Sequence, residues 1–305
     1  MPKFPAYEIY KEYEDPDKYK TSEKKKVEKV LKEAASAKAS AAEAGIERID
    51  LEIAKEIMGE KDFLGPEAIE ATWGFKPEEI PEIPFSKEEL ERAKELGQRL
   101  ILRIDKTEQG LPLTMEKMNK LLQNKTKDKG KILRDTDWYK NEDFYKKEPP
   151  KAGWVLSSKE IIPNSTDKNY IQQTETIIDY LQNQVFKDQP LPQEYESAIR
   201  EFQQKKADLQ DLLTKDWKKA AEILENLQIT KLTRPSPSEL LYDLSVSLQT
   251  NQERHLQDKY AWTNRRSSGG SLVDAGYFDR DGAYVGSWRP DDADGDLGVS
   301  FSRSL

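Results

Sequence analysis

Apolar residues recur at helical spacing through most of this chain, and the pattern changes to strict alternation only near its end. Residues 22–44, opened by Ser22 and closed by Gly45, predict an exposed Lys/Ala/Glu-rich helix with few large apolar side chains. Ile46, Ile49, Ile53 and Ile57 predict a second helix over residues 47–58, stopped by Gly59. Pro77, Pro81 and Pro84 predict an extended connector, because each fixes its own φ and restricts the residue before it. Ser86 with Glu89 forms a capping-box pattern that opens a helix to about Gly97. Further helices are expected over residues 114–122, 165–184, 193–213 and 216–227. A last helix should start at Ser236-Pro237-Ser238-Glu239 and carry Leu240, Leu241, Leu244 and Leu248. Two short apolar runs, one from Leu100 to Ile104 and one from Trp154 towards Ile162, predict buried strands.

From about Tyr260 the helical period disappears and glycine, serine, aspartate and β-formers take over. Val273 and Ala275 alternate towards Phe278, Asp281-Gly282 is a hairpin signal, and Ala283 and Val285 alternate with Tyr284 and Gly286. After a loop over residues 290–295, Leu297, Val299 and Phe301 alternate with small residues. The pattern predicts an α+β fold, a helix-rich chain ending in a small three-stranded antiparallel sheet. Phe278, Val285, Trp288, Leu297, Val299 and Phe301 should be largely buried. Alternation then turns Asp274, Tyr284, Gly286 and Ser287 outward, with Tyr277, Asp279, Arg289, Asp292 and Asp294 beside them at the hairpin and loop. Tyrosine, serine and aspartate of this kind compose adaptable binding surfaces, and Tyr277 and Tyr284 are the expected aromatic anchors.

Composition narrows the chemistry. The 305 residues are 36% hydrophobic and 35% charged, with a formal net charge of −8. Such a chain repels nucleic-acid backbone, and the Lys24-Lys25-Lys26 run sits between acids at Glu23 and Glu28. There is no cysteine, which excludes thiolate nucleophiles, disulfides and cysteine-ligated zinc. His255 is the sole histidine, so multi-histidine metal sites are excluded. No constellation carries a mechanism, and no cofactor is expected. No apolar run reaches the ~20 residues of a membrane span, and Met1-Pro2-Lys3-Phe4-Pro5 lacks a signal-peptide hydrophobic region. The default expectation is a cytoplasmic protein, with display at a surface by another route left open.

A sharper signal lies in what the final stretch lacks. The last glutamate is Glu253, the last glutamine Gln257, the last lysine Lys259 and the last methionine Met118. After Asn264 every basic residue is Arg and every acidic residue is Asp. Turns favour Asp and Gly, and strands disfavour Glu and Lys, which accounts for part of this depletion. The genetic code accounts for all of it: randomising both adenines of an AAC codon yields codons ending in C. These encode Asn, Asp, Gly, Ser, Tyr, Arg, Ala and Val, and never Lys, Glu, Gln, Met or Trp. Trp262 and Trp288 are then fixed scaffold positions.

The segments Tyr260-Ala261-Trp262-Thr263-Asn264, Phe278-Asp279-Arg280-Asp281-Gly282-Ala283-Tyr284-Val285 and Gly298-Val299-Ser300-Phe301-Ser302-Arg303 resemble the end of a bacterial C-type-lectin-fold domain. More specifically, they are similar to the variable target proteins of diversity-generating retroelements, in which adenine-directed mutagenesis diversifies a C-terminal lectin-fold surface. The resemblance implies a C-type-lectin-like sheet and a non-catalytic protein that displays a ligand-binding face to a protein or other macromolecule. It also implies that the strand at Trp154 and the helix after Ser165 are the first strand and helix of that fold. On this reading residues 1–62 form an N-terminal helical arm, able to self-associate. Residues 63–305 form a helix-elaborated lectin-like domain, with a variable-type region at 260–305. Two alternatives stand beside it. One is a structural or scaffold protein. The other is a calcium-dependent interaction protein using Asp279-Arg280-Asp281-Gly282 and Asp292-Ala293-Asp294-Gly295-Asp296, although neither loop is followed by the glutamate that an EF-hand requires. The glutamate and asparagine motifs of calcium-dependent sugar binding are absent, as are the cysteines of formylglycine-generating enzymes.

Overall fold

A computed structural model of the chain describes residues 49–123 and 130–304. The expected helix over residues 22–44 lies outside them, as does most of the polar loop at 124–131. The fold is α+β, with two four-stranded sheets. The first sheet has the order β1-β2-β3-β8: Phe63–Leu64, Gln98–Arg103, Gly153–Ser158 and Ser302–Arg303. The second has the order β6-β5-β4-β7: Gly282–Trp288, Leu272–Asp279, Tyr260–Arg266 and Leu297–Gly298.

The helices are α1 (Leu51–Met58), α2 (Pro66–Trp73), α3 (Lys87–Glu95), α4 (Met115–Leu122), α5 (Asp143–Lys146) and α6 (Tyr170–Tyr180). A π turn, Leu181–Val185, extends α6; α7 (Gln193–Lys215), α8 (Trp217–Asn226), α9 (Gln228–Thr233) and α10 (Pro237–Asn251) follow. The expected capping box forms at Ser86, and a second one opens the expected last helix at Ser236. A third forms at Asn169 with Gln172, so α6 starts five residues later than Ser165.

Helix α10 is the spine. It is buried nearly all round and packs against β2 of the first sheet and β5 of the second. Leu240, Leu244 and Leu248 join the apolar core that holds Val273, Ala275, Phe278 and Val285. A second core, around α6 to α9, takes Trp262, Leu272, Leu297, Val299 and Phe301. The second sheet is therefore packed on both faces. Of the six apolar residues expected to be buried, five are fully so, and Trp288 is half-buried.

Two expectations are corrected. The final stretch is not a third antiparallel strand. Leu297–Gly298 runs parallel to Tyr260–Ala261, and Ser302–Arg303 crosses to the first sheet, antiparallel to Leu156 and Ser157. The missing antiparallel partner is β4 itself, whose Tyr-Ala-Trp-Thr-Asn run has the β-formers but too little alternation to stand out. The face of α1 is also rotated. Ala54 and Met58 are buried whereas Ile53 is 38% exposed, because α1 packs on α3 and Lys94 Nζ donates to the Ile57 carbonyl at 2.6 Å. Ala54 and Met58 of α1 pack in the same core as residues that follow.

A polar seam joins spine to sheet. β2 turns Arg99, Ile101 and Arg103 to alternate sides from Gln98, Leu100 and Leu102, and all six are buried. Arg103 donates from Nε and Nη2 to the two carboxylate oxygens of Asp243 on α10, at 2.8 and 2.6 Å. Ser157 on β3 donates to the same carboxylate at 2.7 Å. Arg99 meets Ser247, one turn further along α10. Arg103 and Asp243 are buried charges with matched partners, the condition under which such burial is tolerable. Arg99 has only the Ser247 hydroxyl and the Ser158 carbonyl, and its Nε has no partner among the described residues.

Candidate functional site

The nine residues expected on one face do not share one. Tyr284 is 42% exposed and Ser287 is exposed, but they lie on opposite faces of β6, because an odd spacing separates them. Asp274 is 0% exposed and Gly286 is buried, so neither is on the open surface. The reason is the second core: helices cover a face that the sequence pattern alone leaves open.

Strand register nevertheless gathers a defined patch on that side. Tyr260, Gly276 and Tyr284 are aligned across β4, β5 and β6; Trp262, Asp274 and Gly286 form the next row; Leu272 and Trp288 complete a third. Asp274 is its centre. Tyr260 and Trp288 stand at opposite corners, with Cα atoms roughly 16 Å apart by strand spacing and rise. Their ring centroids are only 6.1 Å apart, at an interplanar angle of 19°. Both side chains therefore lean inward and roof the centre. A Cβ on Gly286 would stand 2.8 Å from Asp274 Oδ2 and 2.7 Å from Tyr284 Cε1. Glycine there leaves room for the carboxyl and for the tyrosine ring that flanks it.

Neither carboxylate oxygen of Asp274 has a hydrogen-bond partner among the described residues, and neither does the indole N–H of Trp262, its neighbour in the row. Burial pushes the Asp274 carboxyl up to about 8, and only its own backbone amide leans the other way. Orphaned buried polar groups are uncommon in native folds and call for a reason.

The rim is well ordered by polar contacts. A bulge after Gly276 puts Tyr277 at φ 45°, and its ring meets Tyr260 at a centroid distance of 5.2 Å. Tyr277 donates its hydroxyl to Asp296 at 2.8 Å, and Tyr260 donates to Asp294 at 3.2 Å. Partial burial, followed by the Asp294 charge, raises the Tyr260 hydroxyl above its usual range. Arg289 pairs with Asp291 at 2.7 Å, while Asp292 accepts the Arg289 amide at 2.8 Å. Asp279 lies at the far end of the hairpin, in an ion pair with Arg134 at 2.6 Å. The segment around Leu133 bonds to Ala283 and Trp138 donates to the Val285 carbonyl, so the edge of β6 is covered.

The aspartates of residues 291–296 are thus engaged within the protein, and no group of three or more potential ligands is placed to hold a metal ion among the described residues. Thermal unfolding with and without a chelator is expected to give the same melting temperature. A drop of several degrees on chelation would restore the calcium reading, since a site that binds only the folded state stabilises it by mass action. His255 lies beyond the end of α10, with Nδ1 3.3 Å from Glu160 and Nε2 3.7 Å from Glu253, between two carboxylates. Among the described residues no helix is long and apolar enough to cross a membrane.

One feature of the patch escapes sequence reasoning: Trp288 reads as a fixed scaffold position and Tyr260 is not among the expected site residues, and the roof they form needs a pairing that only register reveals. Asp274 is among the expected site residues, but its burial is not expected. Comparison with known proteins finds no family model that matches the chain, and no curated protein and no solved structure that matches it.

Proposed function

We propose that this is a non-catalytic ligand-binding protein of C-type-lectin-like type, whose diversified surface is the Tyr260–Trp288 side of the second sheet with the adjoining loop. The observation that carries the reading is the combination of an orphaned buried carboxyl, a roof of aromatic rings and a rim of tyrosine and aspartate on one sheet and its adjoining loop. Aromatic residues over a fixed frame supply contact area at small entropic cost. The exclusive use of Arg and Asp after Asn264 supports a stretch written in adenine-derived codons. The return of Ser302–Arg303 to the strand at Trp154 brings together the two ends of the unit to which the resemblance assigns the lectin-like fold.

A mutational scan of residues 260–304 tests the reading. Substitutions at Tyr284, Ser287 and Asp292 should change stability within about 0.5 kcal/mol. Trp262, Phe278 and Phe301 replaced by Ala should each lose about 3–5 kcal/mol, as fully packed aromatics do. Trp288, half-buried, should fall between. Equal intolerance at Tyr284, Ser287 and Phe278 would make the surface structural and end the proposal. Codons at the tolerant positions that do not derive from AAC or AAT would remove the retroelement part alone.

A further inference from the structure

The geometry around Asp274 points to a specific ligand chemistry: we infer that the patch binds a guanidinium group, an arginine side chain of a protein partner, between the Tyr260 and Trp288 rings and against the Asp274 carboxylate. The inference rests on the proposed binding face and names what that face recognises.

Three observations carry it. The first is the unpaired acid. Asp274 has no cation, no hydroxyl and no other residue's amide on either oxygen among the described residues, although it is fully buried and faces the side where the aromatic rim lies. Two basic residues at the rim are already committed, Lys259 to Asp296 and Arg289 to Asp291. A ligand must bring the missing donors. The second is the shape of the roof. A flat ion held between two rings needs about 3.5 Å to each face, roughly 7 Å in all. The Tyr260 and Trp288 centroids are 6.1 Å apart and the rings are within 19° of parallel. These rings are stacked, and they must part to about 7 Å face to face to admit a planar guanidinium, which then gains from both faces and has N–H groups to spare for a carboxylate below. An ammonium is rounder and more strongly hydrated, and fits such a slot less well. The third is the sign of the surroundings. Asp291, Asp292, Asp294 and Asp296 follow one another on the loop beside the roof, with Arg289 and Lys259 as the basic residues among them. The excess is negative and steers a cation inward. Gly276 and Gly286 flank Asp274 along and across the sheet, and a side chain at Gly286 would collide with the carboxyl itself.

The test uses acetyl-arginine methylamide and its neutral isostere acetyl-citrulline methylamide, titrated at low salt into the full chain with tryptophan fluorescence as readout. Saturable binding of the arginine probe is expected, at least tenfold tighter than the citrulline probe. Asp274→Asn should weaken the arginine probe at least tenfold while circular dichroism stays native. Trp288→Leu should weaken it too, and Arg134→Gln, at the far end of the hairpin, should leave it unchanged. Absence of saturable binding by the arginine probe overturns the inference, and so does equal binding to Asp274→Asn, which would mark an adventitious ionic contact. Citrulline binding as tightly as arginine, in a manner that depends on Trp288, overturns the guanidinium assignment and leaves the binding face standing. The face itself fails only if the mutational scan finds Tyr284 and Ser287 as intolerant as Phe278.

Discussion

Asp243→Ala should destabilise the protein by about 3–5 kcal/mol, the range found when one partner of a buried ion pair is removed. Asp243 is 0% exposed and accepts from Arg103 twice and from Ser157 once. Removing it strands the Arg103 guanidinium, itself 3% exposed, with only Glu239 at 3.4 Å and Ser302 at 3.2 Å to answer it. Desolvation pulls the Arg103 guanidinium down, and the charges of Asp243 and Glu239 with the Asp243 hydrogen bonds together more than offset it, so it stays protonated. Paired removal should behave differently. Arg103→Met with Asp243→Leu leaves no charge behind and should recover most of the loss, because a well-packed apolar pair is often no worse than a buried ionic one. Urea unfolding of the two single variants and the double variant measures the coupling directly. A single-variant loss under 1 kcal/mol would show that the seam contributes geometry and little stability.

The second large effect concerns pH. The folded-state value of Asp274 is raised to about 8, against an ordinary value of 3.8. Below about pH 4 the carboxyl is protonated in folded and unfolded chains alike. Between pH 4 and 8 the unfolded chain releases the proton and the folded chain keeps it. The folded state then binds more protons, so stability must fall as pH rises through this window and level off above it. The full span is on the order of 5 kcal/mol, at about 1.4 kcal/mol per unit. Asp274→Asn removes the titration. Its stability relative to the parent should rise steadily from pH 4 to 8, even though the buried amide carries a fixed cost of its own. Urea midpoints at pH 4.5, 6, 7.5 and 9 give the slope. A difference between variant and parent that stays flat with pH would mean that the carboxyl is solvated or paired in solution.

What the sequence discloses here follows the range of its signals. Capping boxes at Ser86 and Ser236 are local, and both helices begin where those residues place them. Alternation at Val273, Ala275, Ala283 and Val285 is local too, and the hairpin closes at Asp281-Gly282. Alternation fixes two faces without saying which one meets water. Here both meet cores, so Asp274 is buried where an outward residue was expected, while Tyr284 on the edge strand β6 stays open. The parallel pairing of Leu297 with Tyr260 and the crossing of Arg303 to β3 are long-range choices with no local pattern. The buried arginines of β2 were hidden for a related reason: an Arg in a strand reads as exposed unless its partner is known, and Asp243 lies 140 residues away from Arg103.

If, as proposed, the gene segment after Asn264 is exposed to mutagenesis, the crossing of β8 has a further meaning. Arg303 donates to Glu89, 214 residues earlier, at 2.7 Å, and its guanidinium rests over Phe85 and Phe186. An error that shifts the reading frame anywhere between Asn264 and Leu297 replaces this strand with unrelated residues. The first sheet then keeps a bare edge, Glu89 loses its cation, and the core loses Val299 and Phe301. A cell's proteases would find such a product unfolded, whereas an in-frame substitution at Tyr284 or Ser287 would pass. On the proposed reading, the fold would act as a proofreader of its own coding sequence, sorting frame errors from amino-acid variation before any ligand is met.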